Sequence, residues 1–149
     1  MPRVKEMKKK EKDEIVGMLH GVPLFSNLKK RHLKSIADSG FVQSFRTGDT
    51  IVKKGDTGSA FYVVLSGSAQ ARKGTRVLTE LGQGQFFGEM AVLDGGPRSA
   101  DVIATGDTKC FSLSFWDFHG IRIHESEITE VIIKELVRRL REKVEMLTD

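Results

Sequence analysis

The sequence predicts an α+β protein in which an antiparallel, jelly-roll-like β-roll lies between N-terminal and C-terminal helices. At both ends of the chain, apolar residues recur at the three- and four-residue spacing of amphipathic helices. The middle of the chain instead has short β-branched and aromatic runs separated by glycines. Closely spaced short strands that are flanked by helices close most readily into a roll.

The length and composition fit one domain that spans residues 1–149. The chain has 149 residues, of which 39% are hydrophobic and 15 are glycine. A globule of this size buries enough apolar surface to fold alone. We divide it into a helical segment at 1–38, the β-roll at 40–114 and C-terminal helices at 115–149.

The N-terminal segment is predicted to form two short helices separated by a break at Pro23. The apolar positions that support them are Ile15, Met18, Leu19, Leu28, Leu33, Ile36 and Ala37. Six basic residues lie among the first twelve positions and alternate with acidic ones, so we expect a solvated helix end there. The net charge of +4 comes largely from these residues. The remainder is close to neutral, so no nucleic-acid partner is expected.

The β-region is predicted to contain seven strands, with glycines at the turns between them. The strands are expected at 41–45, 50–52, 60–65, 68–72, 76–81, 99–104 and 109–113. The glycines are Gly48, Gly55, Gly58, Gly67, Gly74, Gly82 and Gly84.

The C-terminal segment is predicted to be helical, with Trp116 and Phe118 as core aromatics and Ser126 as the N-cap of a long final helix. Apolar residues step by four along that helix, at Ile128, Ile132, Leu136 and Leu140, and are prolonged by Val144 and Leu147. The pattern leaves two alternatives open. In one the helix only packs against the roll, and in the other it also joins two copies of the chain in a homodimer.

Several function classes are disfavoured by what the chain contains. No apolar run approaches the roughly 20 residues that a membrane-spanning helix needs, so no membrane insertion is expected. The single cysteine, Cys110, lies in an apolar stretch, as expected of a small core residue in a reducing, cytoplasmic setting. All four histidines lie outside the predicted strands, so neither a metal site nor a metal-dependent enzyme is expected.

One segment, 86–100, interrupts the strand pattern and carries the candidate chemistry. A short helix is expected at about 89–93, and an unpaired helix N-terminus attracts anions. Gly95, Gly96 and Pro97 then reverse the chain, which brings Glu89 and Arg98 to a shared pocket. A carboxylate accepts hydrogen bonds from sugar hydroxyls, and a guanidinium binds phosphate oxygens. The implied ligand is a phosphorylated sugar; the alternative is an internal Glu89–Arg98 ion pair without a ligand.

This segment resembles the phosphate-binding cassette of the cyclic-nucleotide-binding domain family, which includes regulatory subunits of protein kinase A, cyclic-nucleotide-gated channels and the catabolite activator protein. The family pattern of Phe-Gly-Glu, an aliphatic residue and Ala, followed by Pro-Arg, a small residue and Ala, is matched from Phe87 to Ala100. The resemblance covers about residues 20–147. It implies a regulatory sensor without catalytic activity or cofactor, which binds a cyclic nucleotide and acts on an effector protein or domain.

The resemblance also implies the role of each site residue. Glu89 takes the ribose 2′-hydroxyl and Arg98 takes the cyclic phosphate, which the backbone N–H groups around Gly88, Met90, Ala91, Ser99 and Ala100 also contact. Ser99 favours cAMP, with cGMP as the alternative. The final helix covers the base with Leu136, Arg139 or Leu140, and the C-terminal helices relay ligand binding. The competing hypothesis is an interaction or oligomerisation domain that keeps this fold without binding a ligand.

Overall fold

Eight strands form two four-stranded antiparallel sheets. In the first sheet the order is β1 (Phe41–Phe45), β8 (Thr108–Ser114), β3 (Ala60–Ser66) and β6 (Phe86–Phe87). In the second it is β2 (Thr50–Val52), β7 (Asp101–Ala104), β4 (Ala69–Lys73) and β5 (Arg76–Leu81). This computed structural model describes residues 2–56 and 60–148, so Gly58 and the two terminal residues of the predicted domain lie outside the described residues. The predicted β-roll is confirmed.

The strand bounds agree closely with the prediction, with two differences. The two-residue strand β6 was not predicted, because its pairing with Tyr62 and Val63 leaves no periodic pattern in so short a segment. The strand predicted at 99–104 begins only at Asp101. The backbone of Arg98 bonds instead to the loop after β2, since its N–H donates to Asp56 O (3.1 Å) and its carbonyl accepts from Gly55 N (2.9 Å).

The side chains of β3 alternate between two separate cores. Phe61 and Val63 join the larger core, which lies between the first sheet and the helices, whereas Val64 joins a smaller core between the two sheets. Successive side chains of a strand point to opposite faces. The continuous apolar run at 61–65 therefore reflects a strand that is covered on both faces. Cys110 is fully buried in the smaller core, as predicted.

Five α-helices and two short 3₁₀ helices surround the roll within the described residues. They are the 3₁₀ helices Val4–Glu6 and Pro23–Phe25 and the α-helices α1 (Lys9–His20), α2 (Lys30–Asp38), α3 (Ala91–Asp94), α4 (Phe115–His124) and α5 (Ser126–Thr148). Phe25 joins the N-terminal and C-terminal helices to the sheet, because its ring lies 5.5 Å from Phe61 and 5.7 Å from Phe118, both edge-on.

Three local predictions are corrected by the structure. The solvated helix end holds for Lys8, Lys9 and Lys10, which are exposed where α1 begins at Lys9. It does not hold for Arg3, which lies 4.2 Å over the ring of Phe41 beside the fully buried Val4. Trp116 is 75% exposed and is not a core aromatic. It precedes the buried Phe118 by two residues, and side chains two residues apart point to different sides of a helix. Ser126 is the first residue of α5, directly after a short link at Glu125, and not its N-cap.

Candidate functional site

Two glycines with positive φ shape the backbone of the predicted cassette. Gly88 follows β6 with φ +80°, and Gly95 ends α3 in the left-handed region with φ +70°. Glycine adopts these angles without the strain that a Cβ would bring. Because the chain turns at Gly88, the helix begins at Ala91 and not at Glu89 as predicted.

The short helix α3 is anchored to the main core through one side chain. Val92 is fully buried there, and Leu93 packs against the same core. The Val92 N–H donates to the Gly88 carbonyl at 3.2 Å, so it is not a free donor. The N–H groups of Met90 and Ala91 make no hydrogen bond with any described residue, and they remain available to an anion.

A cavity of about 540 Å³ lies between the cassette and the second sheet. It is lined by all seven residues that the sequence predicts to bind the ligand, which are Gly88, Glu89, Met90, Ala91, Arg98, Ser99 and Ala100. The structure thus brings together residues from both arms of the cassette. Asp94, at the end of α3, lines the same cavity.

The sequence did not predict that β5 contributes two neighbouring residues, Leu78 and Thr79, to this cavity. Consecutive strand residues normally point to opposite faces. Here the pairing shifts from Ala71↔Thr79 to Arg72↔Val77, which leaves Leu78 as the extra residue of a β-bulge. A bulge re-aims a side chain in this way. The sequence signal that could have indicated it is the pair of consecutive apolar residues Val77 and Leu78, which interrupts the alternation expected of a strand with one buried face.

The guanidinium of Arg98 reaches the cavity without a carboxylate partner among the described residues. Its Nη2 donates to the Ala60 carbonyl, and its Cζ lies 5.9 Å from the centroid of the Tyr62 ring, which stacks on Phe87. Its Nε is buried and has no hydrogen-bond partner within the part of the chain that the structure describes. Burial lowers the pKa of Arg98 from its usual range, an effect that the nearby Tyr62 partly opposes.

The carboxylate of Glu89 lies at another part of the cavity wall, with its side chain 21% exposed. Its Oε1 lies 3.7 Å from Arg139 Nη1 of α5, whereas its Oε2 is buried and has no hydrogen-bond partner among the described residues. Burial raises the pKa of Glu89, and the charge of Arg139 partly lowers it again. The internal Glu89–Arg98 ion pair is absent from the described contacts, in which Glu89 pairs with Arg139.

The cavity therefore combines a hydrogen-bond acceptor, a cation and free backbone donors on an otherwise largely apolar wall. An unpaired carboxylate oxygen suits a hydroxyl, and an unpaired guanidinium nitrogen suits an anionic oxygen. Buried polar atoms without a partner are costly, so a ligand that supplies both groups would satisfy the site.

A family model described as the cyclic nucleotide-binding domain matches residues 42–123, which include the whole cassette. The chain belongs to this family. This agrees with the resemblance that the cassette residues carry.

The comparisons with single proteins place this cyclic nucleotide-binding domain beside regulatory proteins. It is 42% identical over 97 residues to a cAMP-dependent protein kinase regulatory subunit of Hypocrea atroviridis, a match covering 65% of this chain and 21% of that protein. The chain thus spans about a fifth of the length of that relative.

Two solved structures show the same fold. One is the N-terminal domain of a transcriptional regulator from Streptomyces coelicolor A3(2), with a TM-score of 0.79 and 26% identity, covering 87% of this chain and 94% of that one. The other is the regulatory domain of Toxoplasma gondii PKA in a co-crystal with cAMP, with a TM-score of 0.68 and 26% identity, covering 87% and 51%.

The three residues predicted to cover the base lie on α5 outside the cavity wall of the domain. Leu136 packs against the main core, Leu140 is 63% exposed, and Arg139 reaches the site, among the described contacts, through Glu89. Base capping by these residues stays a prediction.

Two further observations concern the described part of the domain. No helix there is long and apolar enough to cross a membrane. Within residues 2–56 and 60–148, no group of three His, Cys, Asp or Glu side chains is placed to hold a metal ion.

Proposed function

We propose that this domain is a sensor that binds cAMP and relays the binding through its C-terminal helices to an effector protein or domain. The observation that carries the proposal is the convergence of Glu89 and Arg98 on one cavity, each with a buried polar atom that lacks a partner within the described residues. A cyclic nucleotide carries a ribose hydroxyl for the first and a phosphate for the second. The names of the regulatory subunit and of the cAMP co-crystal support the same ligand.

The proposed binding mode assigns one ligand group to each part of the site. Glu89 accepts from the ribose 2′-hydroxyl, and Arg98 binds the phosphate together with the backbone N–H groups of Gly88, Met90, Ala91, Ser99 and Ala100. Leu78 and Thr79 line the wall contributed by the second sheet. The base is then covered by Leu136, Arg139 or Leu140 once α5 closes over it.

The proposed ligand is cAMP rather than cGMP because of Ser99. A Thr at this position would have a more restricted χ1 angle, which positions its hydroxyl for the guanine amino group. The Ser99 hydroxyl is freer to rotate, so it is a less well-placed acceptor for that group.

We propose that the domain acts by binding alone, without a catalytic step or a cofactor. The one thiol supports this, because burial raises the pKa of Cys110 to about 12 and the thiol therefore stays protonated and unreactive. A buried free cysteine also suits a reducing compartment, so we propose that the domain works in the cytoplasm.

We further propose that α5 pairs with a second copy of the chain. Its outer face has exposed apolar residues at steps of four, three, four and three: Ile133, Val137, Leu140, Val144 and Leu147. In a heptad repeat this spacing places Val137 and Val144 at the a positions and Leu140 and Leu147 at d positions. Val at a with Leu at d is typical of two-stranded coiled coils.

Titration calorimetry with cAMP, cGMP and 5′-AMP tests the proposed ligand. We expect the tightest binding for cAMP, weaker binding for cGMP and the weakest for 5′-AMP, whose phosphate is not cyclic. The Ser99→Thr variant should narrow the difference between cAMP and cGMP. If a folded wild-type protein gives no heat with any of the three, the domain is a scaffold without a ligand. A preference for cGMP would overturn the choice of nucleotide alone.

A further inference from the structure

The second sheet carries exposed basic residues at the end that adjoins the cavity. At this end β2 and β4 finish, and β7 and β5 begin. Four basic residues lie there: Lys53 and Lys54 directly after β2, Lys73 at the end of β4 and Arg76 at the start of β5. All four are exposed. We call these four residues the cationic rim.

The strands that carry the cationic rim also form part of the cavity wall. Val52 lines the cavity directly before Lys53, and Ala71 lines it two residues before Lys73. Leu78, the third residue of β5, lines it as well. Successive residues of a strand are about 3.3 Å apart, so the charges of the cationic rim lie beside the cavity.

Neighbouring carboxylates leave the positive charge of the cationic rim largely uncompensated. None of its four side chains forms an ion pair within residues 2–56 and 60–148. Arg72 of β4 and Asp101 of β7 lie directly opposite each other, so their charges offset each other. Asp56, in the loop after β2, adds one negative charge. An excess of positive charge therefore remains at this end of the sheet.

Two members of the cationic rim, Lys73 and Arg76, lie directly opposite each other at the end of the β4–β5 hairpin. Like charges in directly opposed positions destabilise a pair of strands. Because β5 is the edge strand of its sheet, charged residues there also hinder pairing with another chain. Charges of either sign would give that protection, so it does not account for the positive sign.

The lining of the cavity does not by itself attract an anion from a distance. Its charged members, among the residues that the structure describes, are two acids and one base: Glu89, Asp94 and Arg98. Arg98 can bind a phosphate at short range, but the two carboxylates oppose the approach of a negative ligand. A cleft that is edged by charges of one sign concentrates ligands of the opposite sign.

We propose that the cationic rim steers the anionic nucleotide into the cavity and thereby raises its association rate. The inference rests on the proposed function and adds residues that act before the ligand reaches Glu89 and Arg98. Charges at the edge of a binding site change the association rate and its salt dependence, whereas groups that bind the ligand change the dissociation rate.

Stopped-flow with a fluorescent cAMP analogue that keeps the charged phosphate separates the two rates. The double variant Lys73→Glu/Arg76→Glu should associate about fivefold more slowly than the wild type at about 10 mM ionic strength. At about 300 mM the difference should fall below about twofold, because salt screens the charges. The dissociation rate should stay the same. Glutamates keep a like-charge pair on the edge strand, so the hairpin should fold as in the wild type.

The matched control is Lys9→Glu/Lys10→Glu, which makes the same change of net charge at two exposed residues of α1 that do not line the cavity. Its association rate should stay within about twofold of the wild-type rate at both ionic strengths. Lys73→Gln/Arg76→Gln changes the charge by half as much, so it should slow association about twofold at low ionic strength.

Several results would overturn the steering role and leave cAMP binding intact. They are an unchanged association rate of Lys73→Glu/Arg76→Glu at low ionic strength, equal slowing by the α1 control, and a change confined to the dissociation rate. If the folded wild-type protein does not bind the analogue, the proposed function itself is overturned, and this inference with it.

Discussion

Arg98 is held in place by neutral groups rather than by a carboxylate. A backbone carbonyl accepts from its Nη2, and the face of Tyr62 lies 5.9 Å from its Cζ. Neither group neutralises the positive charge, which stays available to an anion in the cavity. A half-buried cation of this kind makes a strong interaction with phosphate because little water competes for it.

Replacing Arg98 should therefore abolish most of the affinity for the phosphate. We expect Arg98→Leu to weaken cAMP binding by about 2–5 kcal/mol, the usual cost of removing one partner of a desolvated charge pair. The control is Arg72→Leu, because Arg72 bonds to Gln70 at 2.9 and 2.7 Å and does not line the cavity. Calorimetry on both folded variants measures the effect, and an Arg98→Leu affinity within about threefold of wild type would contradict the assignment.

Gly88 and Gly84 offer a matched pair of glycine substitutions. Both have positive φ, +80° and +83° respectively, so either alanine variant should lose about 1–2 kcal/mol of unfolding free energy to backbone strain. A Cβ at Gly88 would also collide with the Arg98 guanidinium and the Ala60 carbonyl, whereas a Cβ at Gly84 meets nothing within 4 Å. Only Gly88→Ala should therefore also weaken cAMP binding. Denaturant unfolding measures the loss of stability, and calorimetry measures the loss of cAMP affinity. Equal cAMP affinities of the two variants would refute the expected effect of a Cβ at Gly88 on Arg98.

At the scale of elements, α5 consists of a docked part and an exposed part. The docked part ends at Arg139, because every residue from 140 to 148 is exposed. It carries Leu136, which packs against the main core, and Arg139, which contacts Glu89. The exposed apolar face begins on the docked part, at Ile133 and Val137, and continues over the exposed part to Leu147. These two parts should have separable effects on the ligand.

A chain ended at Glu135 should release cAMP faster than the full chain, because it lacks every residue proposed to cover the base. A chain ended at Lys143 keeps those residues and should release cAMP at the wild-type rate. Affinity differences within one site arise mainly in the off-rate, which stopped-flow with a fluorescent cAMP analogue measures directly. An unchanged off-rate in a folded chain that ends at Glu135 would argue against the lid.

Bound cAMP should also protect the amides of residues 136–144 from hydrogen exchange in the full chain, since ligand and helix docking are linked. If protection were confined to residues 86–100, the pocket would bind its ligand without acting on α5.

At the scale of the whole molecule, the exposed face of α5 predicts a homodimer in solution. Val144 is 50% exposed on this face, and burying it against a second copy removes apolar surface from water. Val144→Glu should therefore shift the protein to a monomer, because it would place two like charges in the seam, which is the contact between the two copies of α5.

The matched control is Met146→Glu, which adds the same charge at a residue that is 79% exposed and lies off the seam. Sedimentation velocity over a range of concentrations should give twice the mass of one chain for the wild type and for this control. A wild-type protein that stays monomeric at every concentration would refute the dimer.

The sequence by itself determined seven of the eight described strands, the helices on either side of them and the cassette, whose seven predicted ligand-binding residues line the cavity. These features follow from local causes, since the spacing of apolar residues sets which face is buried and glycines such as Gly88 set the turns. They could therefore be read one segment at a time.

Only the tertiary structure decided that Leu78 and Thr79 both face the cavity, that Trp116 lies outside, and that Arg139 meets Glu89. A bulge is a property of two paired strands, and a contact between α5 and the cassette depends on how a helix docks on a roll. Neither the bulge nor this contact produces a periodic pattern of apolar residues in the sequence. The chemistry of the site was thus evident from local sequence, whereas its link to α5 arises from packing between distant segments of the chain.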